Sequence, residues 1–542
     1  MPGSDGILVR RIRIRVDGWE PPARGWRGAV RPLRDLVSLS LAFDIEARRA
    51  EIEVRLGTDT RLSDIARAVL PALVPDRRRT GSGAPRIALR DDADETALAL
   101  LPSLAAPPST TAAGDEGLAR SAELVLGAHG TLSAPPWVSG TAPTETRAVV
   151  AGHRVVIDLM THNPIGRMAS FSEGTPGRRL ARVDGRIAIE RLEGDRTVVD
   201  AVLPLDRPIT RDQVSALRSS ESLSVAAIDR APDRMMAARL AELAACGVIL
   251  YDLPATASFE DMLDPDLVSM MRLPYAPTLG LEREVRSVSQ RRTALLAHAG
   301  AFRLARAAEG LGHPILPAVS VIVSSRRPHL VPRILRHLAA QTYERLEVVV
   351  VMHGVQRPDL DDVRDEIGGL DYLIVDAPPH ATFGEALAEG VRRSSGDLVT
   401  KADDDDHYGG EHVRDLVLAW LYSRAELVGK PAAFVHLEGS DITAHRRFGS
   451  ELYHDQVAGG TMLLARGALD ELGGWRPTPA LTDRTVLDAV AEAGGTVYRT
   501  HDLGYVYVRS AGGHTWQRTD AELLDGSYER WPGLVLPGFE AD

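Results

Sequence analysis

The sequence predicts an α/β protein in which a doubly wound, mainly parallel sheet forms the C-terminal domain and α+β regions precede it. The near-continuous apolar runs Val319–Val323 and Leu346–Val351 are typical of strands that are buried on both faces of a parallel sheet. Each run is followed by a segment with helical spacing, and strands that alternate with helices at short intervals indicate a parallel sheet. A further strand-like run, Gly396–Thr400, leads into four consecutive aspartates. Ligands bind such sheets beyond the carboxyl ends of the strands, so this order predicts a ligand site.

Composition is typical of a soluble globular protein. The 542 residues predict roughly two to four domains. The net charge of −12 argues against a general affinity for nucleic acid. A single cysteine, Cys246, indicates a reducing compartment, and the N-terminus lacks the apolar core of a signal peptide. We therefore expect a cytoplasmic protein, at most peripheral at the inner face of a membrane.

Changes in pattern divide the chain into segments. A stretch rich in Pro, Ala, Ser, Thr and Gly begins at Pro102 and indicates a linker. The long helical pattern Glu282–Ala307 predicts a helix that connects to the α/β domain. The predicted segments are a small α+β or β-rich domain (1–102), a linker (103–117), a second accessory α+β domain (118–281), a connecting helix (282–314), the α/β domain (315–531) and a tail (532–542).

The N-terminal half shows strand signals but no catalytic motif. In Leu8–Val16 isoleucine and valine alternate with arginine, which predicts a half-buried strand with a cationic outer face. Those arginines suit a solubilising edge strand, which we favour, or an anionic partner. Arg186–Arg191 and Thr197–Leu203 predict a further strand pair, and Val155–Ile157 a short strand. Phosphate loops, dinucleotide motifs, nucleophile elbows and Cys/His metal spacings are absent from its sequence.

In the C-terminal region, helical spacing predicts Leu330–Ala340, Leu360–Ile367 and Gly384–Ser394 as helices between the strands. A third strand is predicted at Tyr372–Val375. The acidic run therefore follows the fourth strand of a regular strand–helix series.

The acidic run Asp403–Asp406 has two interpretations. Adjacent carboxylates repel one another, and a bound divalent cation removes that conflict because hard cations take carboxylate oxygens. In an extended segment alternate side chains share a face, so Asp403 and Asp405 can point into one cleft while Asp404 points outward. The alternative is a solvated acidic turn that caps the following helix. The position at the carboxyl end of a strand favours the metal site.

Seven short segments of the C-terminal region occur in an order that resembles a known family. They are Val319–Val323, Leu338–Tyr343, Leu346–Val350, Gly396–Val399 with the acidic run, Gly459–Arg466, Leu472–Trp475 and Thr482–Arg484. Together they cover roughly 200 residues, which is the size of a full domain. Residues Val319–Trp516 thus resemble a glycosyltransferase family 2 catalytic domain of GT-A fold. The resemblance covers less than half of the chain.

The resemblance implies that the domain transfers a sugar from a nucleotide-diphospho-sugar. Negative charge builds on the leaving diphosphate, and in the family a Mg²⁺ or Mn²⁺ ion held by a D-x-D motif neutralises it. By position, Asp405 would bind the metal and Asp406 would support it. His514 would be a late ligand of the metal or the diphosphate, with a loop histidine that has no role in the site as the alternative. The nucleotide-sugar side of the site would contain Ser324, Ser325, His353, Asp403 and Asp404.

The resemblance also implies a catalytic base. An acceptor hydroxyl is a poor nucleophile that needs a positioned base, and Asp483 matches the catalytic carboxylate of the family. Without the upstream Gly459–Gly460 element, a helix N-cap would be the favoured role of Asp483. Trp475 and Trp516 are candidates for stacking on a sugar, with core packing as the competing account.

Two features depart from the family. Met352–Gly354 stands where the family usually has an acidic pair that reads uracil, so a preference for UDP does not carry over. The helix before the acidic run lacks the usual asparagine near Ala388. These departures indicate altered nucleotide recognition or lost catalysis, and the retained acids favour the former.

We therefore expect a metal-dependent inverting glycosyltransferase of cell-wall polysaccharide biosynthesis, acting on a hydroxyl of a cell-surface glycan or lipid-linked acceptor. The N-terminal half would bind the acceptor or mediate oligomerisation. Two other hypotheses stay open. One is a sugar nucleotidyltransferase, for which the loop Ser324–Pro328 lacks the expected glycines. The other is a catalytically inactive domain that binds glycans or acts as a scaffold.

Overall fold

The computed structural model shows two compact units. Unit 1 comprises Met1–Pro164, Ser172–Thr278 and Gln290–Leu316, and unit 2 comprises Ile165–Phe171, Leu279–Ser289 and Pro317–Asp542. The structure describes residues 8–17, 36–44, 48–61, 65, 69, 86–91, 94–99, 125–126, 132–133, 154–167, 178–183, 185–193, 196–217, 220–228, 233–275, 280–310, 316–510 and 520–539.

The first sheet of unit 1 has five strands. They are β1 (Leu8–Asp17), β2 (Leu36–Asp44), β3 (Arg49–Arg61), β4 (Arg86–Asp91) and β5 (Asp94–Ala99), in the order β2-β3-β1-β4-β5. The alternation predicted for β1 is confirmed, since Ile12 and Ile14 are buried while Arg11 and Arg13 pair with Glu53 on β3. The edge-strand interpretation is wrong, because β1 pairs with β3 on one side and β4 on the other.

A second five-stranded sheet and the helices α1 to α3 follow in the described part of unit 1 before residue 280. After the short pair β6 (Val125–Leu126) and β7 (Leu132–Ser133) come β8 (Arg178–Val183), β9 (Arg186–Glu193), β10 (Arg196–Pro204), α1 (Arg211–Leu217), β11 (Ser222–Ser224), α2 (Arg234–Ala245), β12 (Ile249–Tyr251) and α3 (Pro265–Arg272). The order is β10-β9-β8-β11-β12. The predicted strand pair is confirmed as the antiparallel neighbours β9 and β10.

The predicted connecting helix is two helices, α4 (Gly280–His298) and α5 (Gly300–Gly310). The break falls at Ala299, which forms an isolated β-bridge with Ile157. The backbone N–H of Ile157 donates to the carbonyl of His298, and the N–H of Gly300 donates to the carbonyl of Ile157. The strand predicted at Val155–Ile157 is therefore wrong, because this segment pairs through a single bridge.

Unit 2 is organised around an eight-stranded sheet. Its strands are β13 (Val319–Ser325), β14 (Leu346–His353), β15 (Asp371–Ala377), β16 (Leu398–Ala402), β18 (Leu427–Gly429), β21 (Leu452–Tyr453), β22 (Leu463–Ala465) and β23 (Val497–Arg499). The order is β15-β14-β13-β16-β22-β18-β23-β21. The first four strands run parallel, as do β18 and β23, while β22 is antiparallel to its two neighbours. The predicted α/β class is confirmed.

After residue 317, the described part of unit 2 contains six helices. They are α6 (Val331–Ala339), α7 (Phe383–Arg393), α8 (His412–Ser423), α9 (Arg466–Glu471), α10 (Thr482–Glu492) and α11 (Asp520–Leu524). Gly390 lets α7 approach closely, because a Cβ atom there would lie 2.5 Å from Ile322 Cγ2. The helix predicted at Leu360–Ile367 is wrong, since only the short 3₁₀ turn Asp361–Val363 forms there.

A second sheet in unit 2 adjoins the acidic run. It consists of β17 (His407–Tyr408), β19 (Phe434–Leu437), β20 (Ile442–Arg446), β24 (Tyr505–Arg509) and β25 (Ser527–Pro532), in the order β17-β24-β19-β20-β25. The acidic run thus joins the end of β16 in one sheet to β17 in the other. Within the described part of the chain, no helix has both the length and the apolar character needed to cross a membrane.

Candidate active site

The acidic run follows the carboxyl end of β16, and its side chains alternate in burial. The side chains of Asp403 and Asp405 are 32% and 25% exposed. Asp404 and Asp406 are buried. Asp403 and Asp405 are therefore the accessible pair of the run, but residues 404–406 form a turn and a bend rather than the extended segment that the prediction assumed. The expectation that Asp404 points outward is wrong.

Asp404 is buried because the loop after β13 supplies its partners. The hydroxyl of Ser325 donates to Asp404, and the guanidinium of Arg327 forms an ion pair with it. Nη2 of Arg327 also lies 2.8 Å from Oδ2 of Asp405. Burial alone would lower the pKa of Arg327, but the two carboxylates outweigh it and raise that pKa above its ordinary value. Asp404 therefore anchors Arg327 beside Asp405.

Ser324 presents a polar atom that the described residues leave without a partner. Its Oγ is buried, and no hydrogen bond to it is formed within the described part of the chain. A buried hydroxyl normally has a hydrogen-bond partner. Ser324 is therefore a candidate contact for a bound ligand at the end of β13.

Asp406 links the acidic run to the second sheet. Its Oδ2 accepts a hydrogen bond of 2.7 Å from the hydroxyl of Tyr505, and its Oδ1 accepts one of 2.9 Å from the backbone N–H of Val508. Burial raises the pKa of Asp406 well above its usual range, and the charges of Asp403 and Asp405 raise it further. These contacts make Asp406 a support for the run.

Lys401 connects the acidic run to α10. Its side chain is only 3% exposed, and Nζ lies 3.2 Å from Oδ1 of Asp403 and 3.0 Å from Oδ1 of Asp483. The N-cap position of α10 is Leu481, which adopts a left-handed φ of 59°. Asp483 is therefore not the N-cap. It lies in the first turn and directs its carboxylate to Lys401.

In the group formed by Lys401, Asp403 and Asp483, the carboxylates outnumber the ammonium group. Partial burial raises the pKa of Asp403 to about 6, and Asp483 and Asp405 contribute to the rise against the opposing charge of Lys401. Burial alone would lower the pKa of Lys401, but Asp403 and Asp483 outweigh it and raise that pKa. Because one ammonium faces several carboxylates, negative charge accumulates at the end of β16.

Two glycines allow the carboxylates to come together. A Cβ atom on Gly459 would lie 1.9 Å from Oδ2 of Asp483, and one on Gly460 would lie 2.8 Å from Oδ2 of Asp403. Both glycines belong to the 3₁₀ turn Gly459–Thr461. No side chain fits at either position without moving an aspartate.

His353 ends β14 as a neutral side chain. In the tautomer with a proton on Nε2, it donates to the carbonyl of Ala381 at 2.6 Å, and Nδ1 accepts from Nε of Arg326 at 3.2 Å. Burial lowers the pKa of His353; Arg326 adds to this effect, whereas the bond to Ala381 opposes it. His353 therefore cannot replace the negative charge of an acidic side chain at this position.

Of the remaining predicted site residues, the structure describes Trp475. Trp475 is buried in the hydrophobic core beside Leu487 and Val490, so core packing accounts for it better than sugar stacking. His514 and Trp516 lie outside the described residues.

The carboxylates suit a divalent metal ion only in part. Carboxylate oxygens are the ligands that Mg²⁺ and Mn²⁺ prefer, and Asp403 and Asp405 are accessible. Within the described ranges, however, no three His, Cys, Asp or Glu side chains are grouped as a metal site. Asp405 already forms an ion pair with Arg327. The described residues therefore supply an incomplete set of metal ligands.

Lys401 and Arg327 are the two site residues that sequence reasoning missed. Lys401 interrupts a run that reads as a buried strand, and an ionisable side chain at such a position needs a partner. That signal marks Lys401 as unusual. Arg327 lies in a polar loop, where an arginine carries no such signal.

The C-terminal part of the chain matches a known protein family. Residues 320–461 match the model described as glycosyl transferase family 2. The matched range begins in β13 and ends at the Gly459–Thr461 turn, and so includes the acidic run. The C-terminal part of the chain therefore contains a glycosyltransferase family 2 catalytic domain. No curated protein matches the chain.

Solved structures show a more limited likeness. The mannosyltransferase PcManGT from Pyrobaculum calidifontis, in complex with GDP-Man and Mn²⁺, is 18% identical with a TM-score of 0.29, over 37% of this chain and 59% of that one. S. aureus TarS 1–349, in complex with UDP-GlcNAc, is 16% identical with a TM-score of 0.31, over 37% of this chain and 61% of that one. The chain thus spans about three fifths of the length of these structures.

Proposed function

We propose that the C-terminal domain transfers a sugar from a nucleotide-diphospho-sugar to an acceptor hydroxyl with inversion at the anomeric carbon. The observation that carries this proposal is the convergence of Asp403, Lys401 and Asp483 at the carboxyl end of β16. A parallel sheet offers its ligand site at this end. The family 2 match provides the reaction class.

In this proposal Asp483 is the general base. Its side chain is 33% exposed, and Lys401 holds both of its oxygens, so one carboxylate orientation is favoured. Asp483 takes the proton of the acceptor hydroxyl as the acceptor oxygen attacks the anomeric carbon. The bond to the diphosphate breaks on the opposite face of the sugar, which inverts the configuration. Lys401 acts as a positioning residue.

The ends of β13 and β14 would bind the nucleotide. The Oγ atom of Ser324 has no partner among the described residues, and Ser325 lies next to it. Neutral His353 would contact the base through shape rather than through charge, because Ala381 and Arg326 engage both of its ring nitrogens. Asp404 would act through Arg327, because its own oxygens are engaged.

Asp405 would hold the metal ion, with Asp403 facing the donor, Asp406 supporting the loop and His514 as a further ligand. When bound, Mg²⁺ or Mn²⁺ neutralises the charge of the leaving diphosphate. The accessibility of the Asp403 and Asp405 side chains supports this assignment. Arg327 keeps Asp405 paired in the absence of an added cation.

A screen of melting temperatures tests the donor and the metal together. We expect one of UDP-, GDP- or TDP-sugars to stabilise the full chain, and Mn²⁺ to increase the shift, because a ligand that binds the folded state stabilises it. Asp405→Asn should remove the Mn²⁺-dependent part. Asp361→Asn, at an exposed aspartate, is the control. Absence of stabilisation by every donor, with and without Mn²⁺, would overturn the proposal.

The acceptor that we propose is a cell-surface glycan or a lipid-linked saccharide at the inner face of the membrane. The regions before residue 281 would serve as accessory domains that bind this acceptor or mediate oligomerisation. Incubating the chain with a radiolabelled donor and a membrane fraction tests this assignment. Label in a lipid extract or a polymer supports it, whereas label confined to free sugar contradicts it.

A further inference from the structure

Arg327 pairs unequally with two aspartates of the acidic run. Its guanidinium donates two hydrogen bonds to Asp404, one of 3.3 Å from Nε to Oδ2 and one from Nη2 to Oδ1. Asp405 receives a single contact, in which Nη2 of Arg327 lies 2.8 Å from Oδ2. Fewer contacts therefore hold the guanidinium on Asp405 than on Asp404.

The two aspartates also differ in their surroundings. The side chain of Asp404 is 4% exposed and accepts a further hydrogen bond from Ser325, while Arg333 donates to the backbone carbonyl of Asp404 at 3.1 Å. The side chain of Asp405 is 25% exposed, and within the described ranges its carboxylate has no other hydrogen bond or ion pair. Losing a partner costs a buried charge more than a solvated one. Asp404 should therefore retain Arg327 where Asp405 releases it.

The guanidinium of Arg327 has unused donors. Its side chain is 41% exposed, and Nη1 donates no hydrogen bond to any residue that the structure describes. An arginine presents several N–H donors in a planar fork that matches carboxylate and phosphate oxygens. Arg327 can therefore bind a second anion while it stays on Asp404.

A divalent cation at Asp405 conflicts with the pairing that the structure shows. The guanidinium lies 2.8 Å from an oxygen that such a cation would use. Like charges repel strongly at short range, so the cation needs Arg327 to leave Asp405. A diphosphate between the two positive groups removes the repulsion, because phosphate oxygens pair with guanidinium groups and with divalent cations alike.

We propose that Arg327 is an exchangeable counter-ion, which pairs with Asp405 when no metal ion is bound and with the diphosphate of the donor when a divalent cation occupies Asp405. This inference rests on the proposed function, because it requires a diphosphate donor and a cation at Asp405. The exchange makes cation and donor favour each other's binding, and coupling between two ligands typically amounts to about 5- to 150-fold.

Removing the guanidinium should change two affinities in opposite directions. In Arg327→Gln, the Kd for Mn²⁺ alone, measured from the electron paramagnetic resonance signal of free Mn²⁺, should fall by about fivefold or more, because the competing cation is gone. The Kd for the UDP-, GDP- or TDP-sugar that binds the full chain, measured by calorimetry in saturating Mn²⁺, should rise by about fivefold or more, because a phosphate contact is lost. A purely structural role of Arg327 would weaken both.

Arg336→Gln is the matched control. Arg336 is 43% exposed and pairs with the carboxylate of Glu366 at 3.2 Å, so its replacement removes the same charge at similar exposure. Neither Kd should change in this variant. If the unpaired charge of Asp404 prevents Arg327→Gln from folding, the double variant Asp404→Asn/Arg327→Gln decides, because it leaves no buried carboxylate without its counter-ion.

The outcomes separate this inference from the proposed function. If a donor binds the wild-type chain with Mn²⁺ but removal of Arg327 leaves either Kd unchanged, the inference is overturned and the proposed function stands. The same holds if Arg336→Gln reproduces both changes. If none of the donors binds the wild-type chain, both are overturned.

Discussion

The ammonium group of Lys401 lies 3.0 Å from each carboxylate oxygen of Asp483. Lys401 belongs to β16 and Asp483 to α10, so this pair ties the sheet to the helix that carries the proposed base. Removing one partner of a buried ion pair leaves the other charge uncompensated. The pair should therefore be strongly coupled.

A double-mutant cycle measures this coupling. Lys401→Met and Asp483→Asn should each lower the free energy of unfolding by about 1–3 kcal/mol, and the double variant should lose less than the sum. The difference should amount to about 1 kcal/mol or more, measured by urea denaturation. Additive effects would mean that the contact contributes nothing to stability.

Asp483→Asn should also remove most of the sugar transfer. We expect kcat to fall by roughly 10²- to 10⁴-fold, since the amide cannot accept the proton, while calorimetry shows the donor still binding. Asp488→Asn is the control, because Asp488 lies on the same helix but pairs with Arg484 at the surface. Full transfer by Asp483→Asn would show that another group is the base.

Gly459→Ala should disable the site through packing alone. The new methyl group would meet Oδ2 of Asp483 at 1.9 Å, so the carboxylate must move away from Lys401. We expect transfer to fall by about tenfold or more, because small misplacements of a catalytic group are costly. Gly369→Ala introduces a methyl group with no atom within 4 Å and should leave the rate unchanged. Equal rates for the two variants would contradict this account.

His298 should make the chain less stable in acid. Nδ1 donates to the carbonyl of Val155 while Nε2 accepts from the backbone N–H of Asp264, so protonation of Nε2 would break the second bond. Burial lowers the pKa from 6.5 to about 4, so between these values the unfolded chain binds more protons than the folded chain. Stability should therefore fall as the pH falls through this window.

Urea denaturation across this pH range checks the histidine prediction. His298→Gln should reduce the slope of stability against pH, whereas His380→Gln, at an exposed histidine, serves as the control. An unchanged slope in His298→Gln would show that another group causes the acid sensitivity.

The four parallel strands β13, β14, β15 and β16 were the most predictable part of the eight-stranded sheet. Strands such as β13 and β14 are covered on both faces, so their residues must be apolar, and this requirement is visible in the local sequence. Leu360–Ile367 has helical spacing but is short, and isolated helices of few turns are marginal without packing. Its spacing alone could not decide its structure.

The partners of the acidic run were not predictable from local pattern. Asp403 and Asp405 differ in burial from Asp404 as alternation predicted, but the run forms a turn rather than the extended segment to which alternation applies. What faces each side depends on residues far along the chain: Arg327 lies 77 positions before Asp404, and Asp483 lies 82 positions after Lys401. Contacts between residues so far apart in the sequence are set by the order of the strands and helices in the fold, and the local sequence does not show them.

Asp406 determines how long a working catalytic fragment must be. Its two hydrogen-bond donors, Tyr505 and Val508, lie on β24, beyond the end of the family 2 match at residue 461. A fragment cut at residue 461 would keep all four aspartates of the run yet lose these donors and Asp483. The shortest piece of this chain that can reproduce the site therefore extends at least through Val508.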